Sequence, residues 1–396
     1  MKKKMLSLAL VLACALSILQ VPASATFSYE DPFSLAAIQA EATELIQIAF
    51  NQGVIPGQNN SNITSLYLCD SIPIYELQSD NILSEADDIK YYPIFDQNDV
   101  ARGMIIARLQ GNNETLTCEY NTFFCEELTT YKQNDAEVCF IFDQEDIIIY
   151  DGYQADTILH SAALKDDSRG VFNMDTASTT QFANLDSSAT STSQLAELDR
   201  STISPAMVLN PLSTTATTSS TSGSLSVPII TQSPWENGCW AASAVCAGRY
   251  LNPSVRLTVT DVMKNYAGGQ DVAKSYISVQ DVLAYEYGYE TNQHLLSSLT
   301  MRAVMNSIGV GTDNGDPIIA RVSYSGLSSG HFIVVRGYIY TAGTGTLDRA
   351  TIMDSLYGSG FRILSVVGTG ESMTFKYTPL SGTTLYDVGM YLTFTR

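Results

Sequence analysis

The chain has 396 residues, 45% of them hydrophobic, and a formal net charge of −20. This length and apolar content are enough for two domains with real cores, which excludes a disordered chain. The excess of acidic side chains repels phosphate backbones, so the charge argues against nucleic acid as a partner.

The first 25 residues predict a secretory signal peptide. Three lysines precede an apolar run from Met5 to Leu19, and the small residues Ala23-Ser24-Ala25 follow, so we expect cleavage after Ala25. A lipoprotein signal that uses Cys14 is the weaker alternative. Since no other run approaches the roughly 18 apolar residues that a membrane span needs, we predict a secreted protein without stable membrane association.

Charge divides the rest of the chain into two units. Residues 26–226 carry 29 Asp and Glu against 7 Lys and Arg, whereas residues 227–396 carry 12 against 11. Residues 166–226 are rich in Ser and Thr, as in STTATTSSTS at 213–222. Such a tract buries too little apolar area to offset its ordering entropy, so we predict a flexible linker that proteases cut easily.

The acidic unit, residues 26–165, is predicted to be a small α+β domain. Asp31 can cap a helix that has one apolar face and ends at Gly53. Five short apolar segments then predict an antiparallel sheet: LYLC, YYPIF, MIIARL, EVCFIF and DIIIY. After export, its four cysteines could form two disulfides or stay free: Cys69, Cys118, Cys125 and Cys139.

The nearly neutral unit, residues 227–396, is predicted to place helices before strands. Helices are expected at 238–250, 258–267, 278–288 and 299–309, with Ser278 and Asp281 as a capping pair for the third. Six strands are expected from Pro317 onward: PIIARVSY, HFIVVRGYIY, RATIMD, FRILSVV, SMTFKY and VGMYLTFT. This order is typical of an α+β fold with an antiparallel sheet.

Cys239 stands at the start of the first of these helices, in NGCWAASAVC. The positive end of a helix dipole and a nearby imidazolium both lower the pKa of a thiol, which makes it a nucleophile. The chain has three histidines, and His331, which begins a strand, is the best base; His160 lies in the acidic unit and His294 in a loop-like stretch.

Two further groups would complete this chemistry. Asp354 ends the strand after that of His331, so adjacent antiparallel strands would bring it beside the imidazole to orient it. Gln232 lies seven residues before Cys239, and its amide could stabilise an oxyanion together with the backbone N–H of Cys239.

These residues carry a resemblance to a known family. The Gln232 and Cys-Trp-Ala pattern, followed by GHFIVVRGY and MDSLYG, resembles the papain superfamily of cysteine peptidases, in the style of the secreted staphopains and the bacteriocin-leader peptidases. The resemblance covers residues 227–396. It implies a papain-like fold, with Cys239 as nucleophile, His331 as base and acid, Asp354 as orienting group and Gln232 in the oxyanion hole.

The sequence also departs from the plant members of that family. Asn237 and Gly238 occupy the place of a disulfide-forming cysteine, and an aspartate replaces the usual asparagine as orienting group. Cleavage preference therefore cannot be transferred. The acidic unit resembles, loosely, the pro-regions of secreted bacterial cysteine proteases, which implies a zymogen in which this unit is an intramolecular inhibitor; a retained binding module is the alternative.

Two other functions are compatible with the same residues. A cell-wall peptidoglycan amidase would use the same cysteine and histidine chemistry, and a catalytically inactive binding protein would use the acidic unit for recognition. The favoured partner is a protein or peptide substrate, and no cofactor is predicted. With three scattered histidines, no metal site is predicted either. Cys246 and Trp240 are expected to be core residues.

Overall fold

The computed structural model describes most of the chain beyond residue 30. The described residues are 31–57, 66–77, 83–110, 115–134, 136, 138–143, 146–151, 155–159, 207–209, 220–295, 297–325, 329–341, 348–356, 360–368, 370–380 and 384–395. The predicted signal peptide, most of the predicted linker and His160 therefore lie outside the described residues. Among those described, no helix is long and apolar enough to cross a membrane.

The described residues form six α-helices. Two lie in the acidic unit, α1 (Leu35–Asn51) and α2 (Cys125–Gln133). Four lie in the neutral unit: α3 (Cys239–Leu251), α4 (Val259–Ala267), α5 (Tyr276–Val282), which continues as a π-helical turn (Leu283–Tyr287), and α6 (Met301–Ile308). The chain is thus mixed α+β, as predicted.

Two predicted helix caps are wrong. The cap of α1 is Ser34, whose Oγ accepts a hydrogen bond from the Ala37 N–H at 3.3 Å. Asp31 instead accepts from the Phe33 N–H at 3.0 Å, in the turn before the helix. The cap of α5 is Ser275, not Ser278. In both helices the cap is the serine directly before the first helical residue, because its side chain must lie within reach of the first free backbone N–H groups.

Nineteen strands are formed by the described residues. In chain order they are β1 (Leu66–Leu68), β2 (Ile74–Leu77), β3 (Leu83–Glu85), β4 (Ile89–Asp96), β5 (Ala101–Gln110), β6 (Thr115–Asn121), β7 (Cys139–Asp143), β8 (Asp146–Tyr150), β9 (Ala155–Leu159), β10 (Met207–Leu209), β11 (Ser220–Ser224), β12 (Thr291–His294), β13 (Gly311–Thr312), β14 (Ile318–Ser325), β15 (Ser329–Thr341), β16 (Arg349–Asp354), β17 (Gly360–Val367), β18 (Thr374–Tyr377) and β19 (Tyr386–Phe394).

The strands assemble into two sheets. The larger follows the order β10-β1-β4-β5-β6-β17-β18-β19-β14-β15-β11-β13, with β16 between β15 and β17 and β12 paired to β19. Its pairs are antiparallel except for β11 with β13. The smaller sheet has the order β3-β2-β7-β8-β9.

The acidic and neutral units are joined by strand pairing and by a common apolar core. Strand β6 of the acidic unit pairs with β17 of the neutral unit at Asn121 and Arg362. A single apolar core includes side chains from both, among them Ile38, Tyr91, Trp240 and Ile333. Strands β10 and β11 lie within the predicted linker, and β11 pairs with β15.

Helix α3 is the central helix of the neutral unit. Its first ten residues, from Cys239 to Gly248, are all buried. Gly248 allows the ring of Tyr287 to approach closely, since a Cβ atom at this position would lie 2.4 Å from the ring. The short Ala and Gly side chains therefore let α3 pack tightly between the sheet and the other helices.

Candidate active site

Cys239 is the first residue of α3, and Gly238 is its N-cap. A side chain at Gly238 would place its Cβ 2.8 Å from the Cβ of Trp235, so glycine lets the preceding loop fold back onto the helix start. The next residue, Trp240, is fully buried and donates its indole N–H to Val272 O at 3.2 Å. Trp240 is thus a core residue beneath Cys239, as expected.

His331 lies near the start of β15 and is fully buried. Its Nε2 is 2.7 Å from Asp354 Oδ1, at the end of β16. These strands are neighbours in the sheet, so the predicted approach of the two side chains is observed. The Nδ1 atom of His331 is buried and has no hydrogen-bond partner among the described residues, and the interaction of Cys239 with the His331 side chain lowers the pKa of the thiol.

Asp354 has four hydrogen-bond donors although it is fully buried. Besides His331, they are Tyr377 Oη at 2.9 Å, the Leu356 N–H at 3.0 Å and Arg362 Nη1 at 3.2 Å. Burial by itself raises the pKa of this carboxyl, but the charge and hydrogen bond of His331, together with Arg362, lower it to about 2. Asp354 is therefore a permanent anion next to His331.

The electrostatics favour a thiolate and an imidazolium. Burial raises the pKa of Cys239, but the hydrogen bond and charge of His331 and the backbone N–H groups of Phe332 and Trp240 outweigh it, so the pKa is lowered. Burial lowers the pKa of His331, but the charge of Asp354, its hydrogen bond and the thiolate raise it to about 10. The charged pair is accordingly the stable form around neutral pH.

Gln232 is buried in the loop before α3, but its contacts are not those of a free oxyanion donor. Its Nε2 donates to Glu236 O at 2.7 Å and to Trp235 O at 3.2 Å, while its Oε1 accepts from Ser355 Oγ at 3.1 Å. One of the two amide N–H groups would have to turn from a carbonyl oxygen towards a substrate. The oxyanion role of Gln232 stays a prediction.

The other residues considered in the sequence lie away from this site. His294 stacks on Tyr391, and its Nε2 lies 3.0 Å from Thr393 Oγ1. Cys246 is fully buried and donates its thiol to Pro228 O at 3.2 Å, which fits its expected core role. In the acidic unit all four cysteines are free, and burial raises the pKa of each thiol.

Sequence reasoning missed three residues around the site: Arg362, Tyr377 and Arg321. Arg362 and Tyr377 bind Asp354 and stack on each other, with the guanidinium carbon 4.6 Å from the ring centre. Arg321 is on β14, and its charge acts on Cys239. A signal for Arg362 was present, because a lone arginine in the apolar strand FRILSVV needs a buried anion as partner.

The thiol and the imidazole are poorly accessible in this state of the chain. Cys239 is 5% exposed and His331 is 0% exposed. A peptide carbonyl would have to reach the sulfur atom for acyl transfer, and the low exposure of Cys239 restricts that approach. Across the described residues, no three side chains of His, Cys, Asp and Glu are grouped to hold a metal ion.

Comparison with known proteins finds a family model that matches part of the chain. Residues 224–362 match the model of the Peptidase_C39 like family, a segment that contains Gln232, Cys239, His331, Asp354 and Arg362. No curated protein matches the chain. At the level of the family, residues 224–362 are therefore similar to the papain-like cysteine peptidases, which confirms the resemblance carried by the sequence.

Proposed function

We propose that the protein is a secreted peptidase that hydrolyses peptide bonds, with Cys239, His331 and Asp354 as its catalytic triad in a papain-like domain. The observation that carries the proposal is the buried contact of 2.7 Å between His331 and Asp354, beside a thiol whose pKa is lowered. Cys246 is also a buried thiol, but its pKa is raised, so burial alone does not lower the pKa of a thiol.

The proposed reaction begins with attack of the Cys239 thiolate on a peptide carbonyl carbon. The backbone N–H of Cys239 and the amide of Gln232 stabilise the oxyanion that forms. His331 then gives its proton to the leaving amine as the C–N bond breaks, and a thioester to Cys239 remains.

Water completes the cycle. Neutral His331 takes a proton from a water molecule, the hydroxide adds to the thioester carbonyl, and the thiolate leaves as the imidazolium is restored. Asp354 keeps its charge throughout and stabilises the imidazolium at both ends of the cycle.

Export and latency belong to the same proposal. Residues 1–25 act as the signal peptide, and the exported chain is a zymogen that is cut in the Ser/Thr-rich tract. The low exposure of Cys239, 5%, supports latency of the uncut chain. In the uncut chain the acidic unit restricts access to the thiol, and the cut relieves this restriction without requiring that the unit leave.

The test is covalent labelling with a thiol-directed inhibitor of the epoxysuccinyl type. We compare the full-length protein with protein cut in the tract, map the modified residue by mass spectrometry, and use Cys239→Ala and Cys246→Ala as a matched pair. We expect label on Cys239 alone, more of it after the cut, and casein hydrolysis that is lost in Cys239→Ala and kept in Cys246→Ala.

Three other outcomes would contradict parts of this proposal. Turnover of purified wall fragments and not of casein would indicate a peptidoglycan amidase. Absence of label in both forms would indicate a binding protein. Equal labelling and equal activity before and after the cut would show that the acidic unit is not inhibitory.

A further inference from the structure

Five buried side chains form a row of alternating charge that ends at the candidate catalytic pair. We call this row the charge chain; its members are Arg108, Glu119, Arg362, Asp354 and His331. Arg108 and Glu119 belong to the acidic unit, on β5 and β6, and the other three to the neutral unit. The charge chain therefore crosses the boundary between the units.

Glu119 is the member that joins the two units. Its Oε2 accepts from Arg108 Nη1 at 2.8 Å and from Arg362 Nη2 at 3.1 Å. Arg362 uses its other terminal nitrogen, Nη1, to bind Asp354 Oδ2 at 3.2 Å. The guanidinium of Arg362 is thus held between a carboxylate of the acidic unit and the carboxylate that contacts His331.

Arg108 fixes Glu119 from the other side. Its Nη2 donates to Pro379 O at 3.1 Å and to Leu380 O at 3.4 Å, both in the neutral unit. Arg108, Glu119 and Arg362 are each no more than 2% exposed. Because these side chains are shielded from solvent, removal of one charge leaves its neighbours uncompensated.

We infer that Glu119 is a positioning residue for the catalytic site, and that the acidic unit stays bound in the active enzyme because it supplies this carboxylate. The inference rests on the proposed peptidase function. Glu119 holds Arg362 at the place from which it binds Asp354, and it balances the charge of that guanidinium. The Asp354 carboxylate is then available to stabilise the imidazolium of His331.

The sign of the effect follows from the charged groups around His331. Cys239 faces it from α3, Asp354 from β16 and Tyr377 from β18, with Arg362 behind Asp354 and Arg321, on β14, acting on the thiol. Loss of the negative charge at Glu119 leaves two arginines uncompensated, and Arg362 then competes with His331 for Asp354. Both changes make the imidazolium less stable, so the pKa of His331 falls.

The interface supports retention of the acidic unit after a cut in the tract. Arg336 of β15 donates from Nη1 and Nη2 to Gln52 O, at the end of α1, at 3.2 Å each. Strand β10, which follows residues 160–206 in the chain, pairs with β1 of the acidic unit. A cut between residues 160 and 206 thus leaves this pairing and the charge chain in place.

The test measures the pKa of His331 in Glu119→Gln by NMR of the protein labelled with ¹³C at histidine Cε1. The chain has three histidines, so the spectrum is simple, and His331→Ala assigns the signal. We expect the titration of His331 to move down by about 0.5 to 1 pH unit, the size expected for one charge removed at this range in a partly polar interior.

The matched control is Asp96→Asn. Asp96 is also a buried carboxylate of the acidic unit, bound to Arg102 at 2.9 and 2.6 Å, but it has no link to the charge chain. It should destabilise the acidic unit without moving the titration of His331. His294 serves as an internal reference in both variants.

The inference is overturned if Glu119→Gln leaves the pKa of His331 at its wild-type value. If this variant does not fold, Glu119→Asp keeps the charge with a shorter arm, and a smaller downward shift is expected; an unchanged pKa again contradicts the inference. Separation of the two fragments of the cut protein on size exclusion, with the pKa of His331 unchanged, would contradict it as well.

This readout is independent of peptidase activity. A shifted pKa of His331 without turnover of any peptide would refute the proposed function and leave the electrostatic link intact. Turnover of a peptide with an unshifted pKa of His331 would support the proposed function and contradict the electrostatic link to Glu119.

Discussion

Helix α3 carries two buried cysteines whose thiol pKa values are shifted in opposite directions. Cys239 in the first turn and Cys246 two turns later are both buried, yet the pKa of Cys239 is lowered and that of Cys246 is raised. At the first turn, free backbone N–H groups and His331 stabilise a negative sulfur. At Cys246 the backbone is fully hydrogen-bonded within the helix, and the thiol faces a carbonyl oxygen, that of Pro228.

Burial does not by itself make a thiol reactive. Desolvation raises the pKa of both thiols, and at Cys246 the charge of Arg336 offsets it only in part. Cys239 differs because its anion is hydrogen-bonded and faces a cation.

The largest expected difference is in alkylation of the two thiols. In protein cut in the tract, we expect iodoacetamide at neutral pH to modify Cys239 at least about 10³-fold faster than Cys246, because the thiolate is the reactive form. Peptide mass spectrometry measures both rates in one sample, and urea-unfolded protein, in which the six cysteines after residue 25 should react alike, is the control. Equal alkylation rates in the folded protein would show that the two thiols do not differ in reactivity.

The pH dependence of peptide hydrolysis tests the same pair. Activity needs the thiolate and the imidazolium together, so it should fall at low pH, as the Cys239 thiol takes up a proton, and fall again as pH rises through about 10, where His331 loses its proton. An alkaline limb near 6.5, the ordinary pKa of histidine, would show that Asp354 does not act on His331 as the contact implies.

Replacement of Asp354 by Asn should make the Cys239 thiol behave more like the Cys246 thiol. The anion that raises the pKa of His331 is lost, so the imidazolium and the thiolate are both less stable, and kcat/KM should fall by about 10²- to 10⁴-fold. The matched control is Asp348→Asn, since Asp348 is also buried but accepts from the Thr341 N–H, away from His331. Similar losses in both variants would contradict the orienting role.

The smallest effect is expected for Gln232→Ala. If the amide stabilises the oxyanion, kcat should fall about 10²-fold with KM little changed, because the oxyanion exists only after attack. Gln280→Ala removes an amide that binds Thr291 instead and should leave kcat unchanged. If the loss tracks thermal stability and not kcat, Gln232 serves only to hold the loop to Trp235, Glu236 and Ser355.

Much of this molecule follows from local sequence patterns. The periodicity of apolar residues predicted α1 and α3, and the alternation in RATIMD and FRILSVV predicted β16 and β17. The position of Cys239 at a helix start and of His331 at a strand start could be predicted because each depends on a few neighbouring residues. The short strands β2, β3 and β12 were missed, since strands of three or four residues have little pattern of their own.

The contacts between the two units and the surroundings of Asp354 depend on tertiary packing. Composition separated residues 26–165 from residues 227–396, but it is silent on the pairing of β6 with β17 and on the contact between Glu119 and Arg362. These residues are 243 positions apart in the chain. Local patterns determine which segments fold into helices and strands, whereas the meeting of two distant charges depends on how those segments pack, because a buried charge is tolerated only where packing brings it a partner.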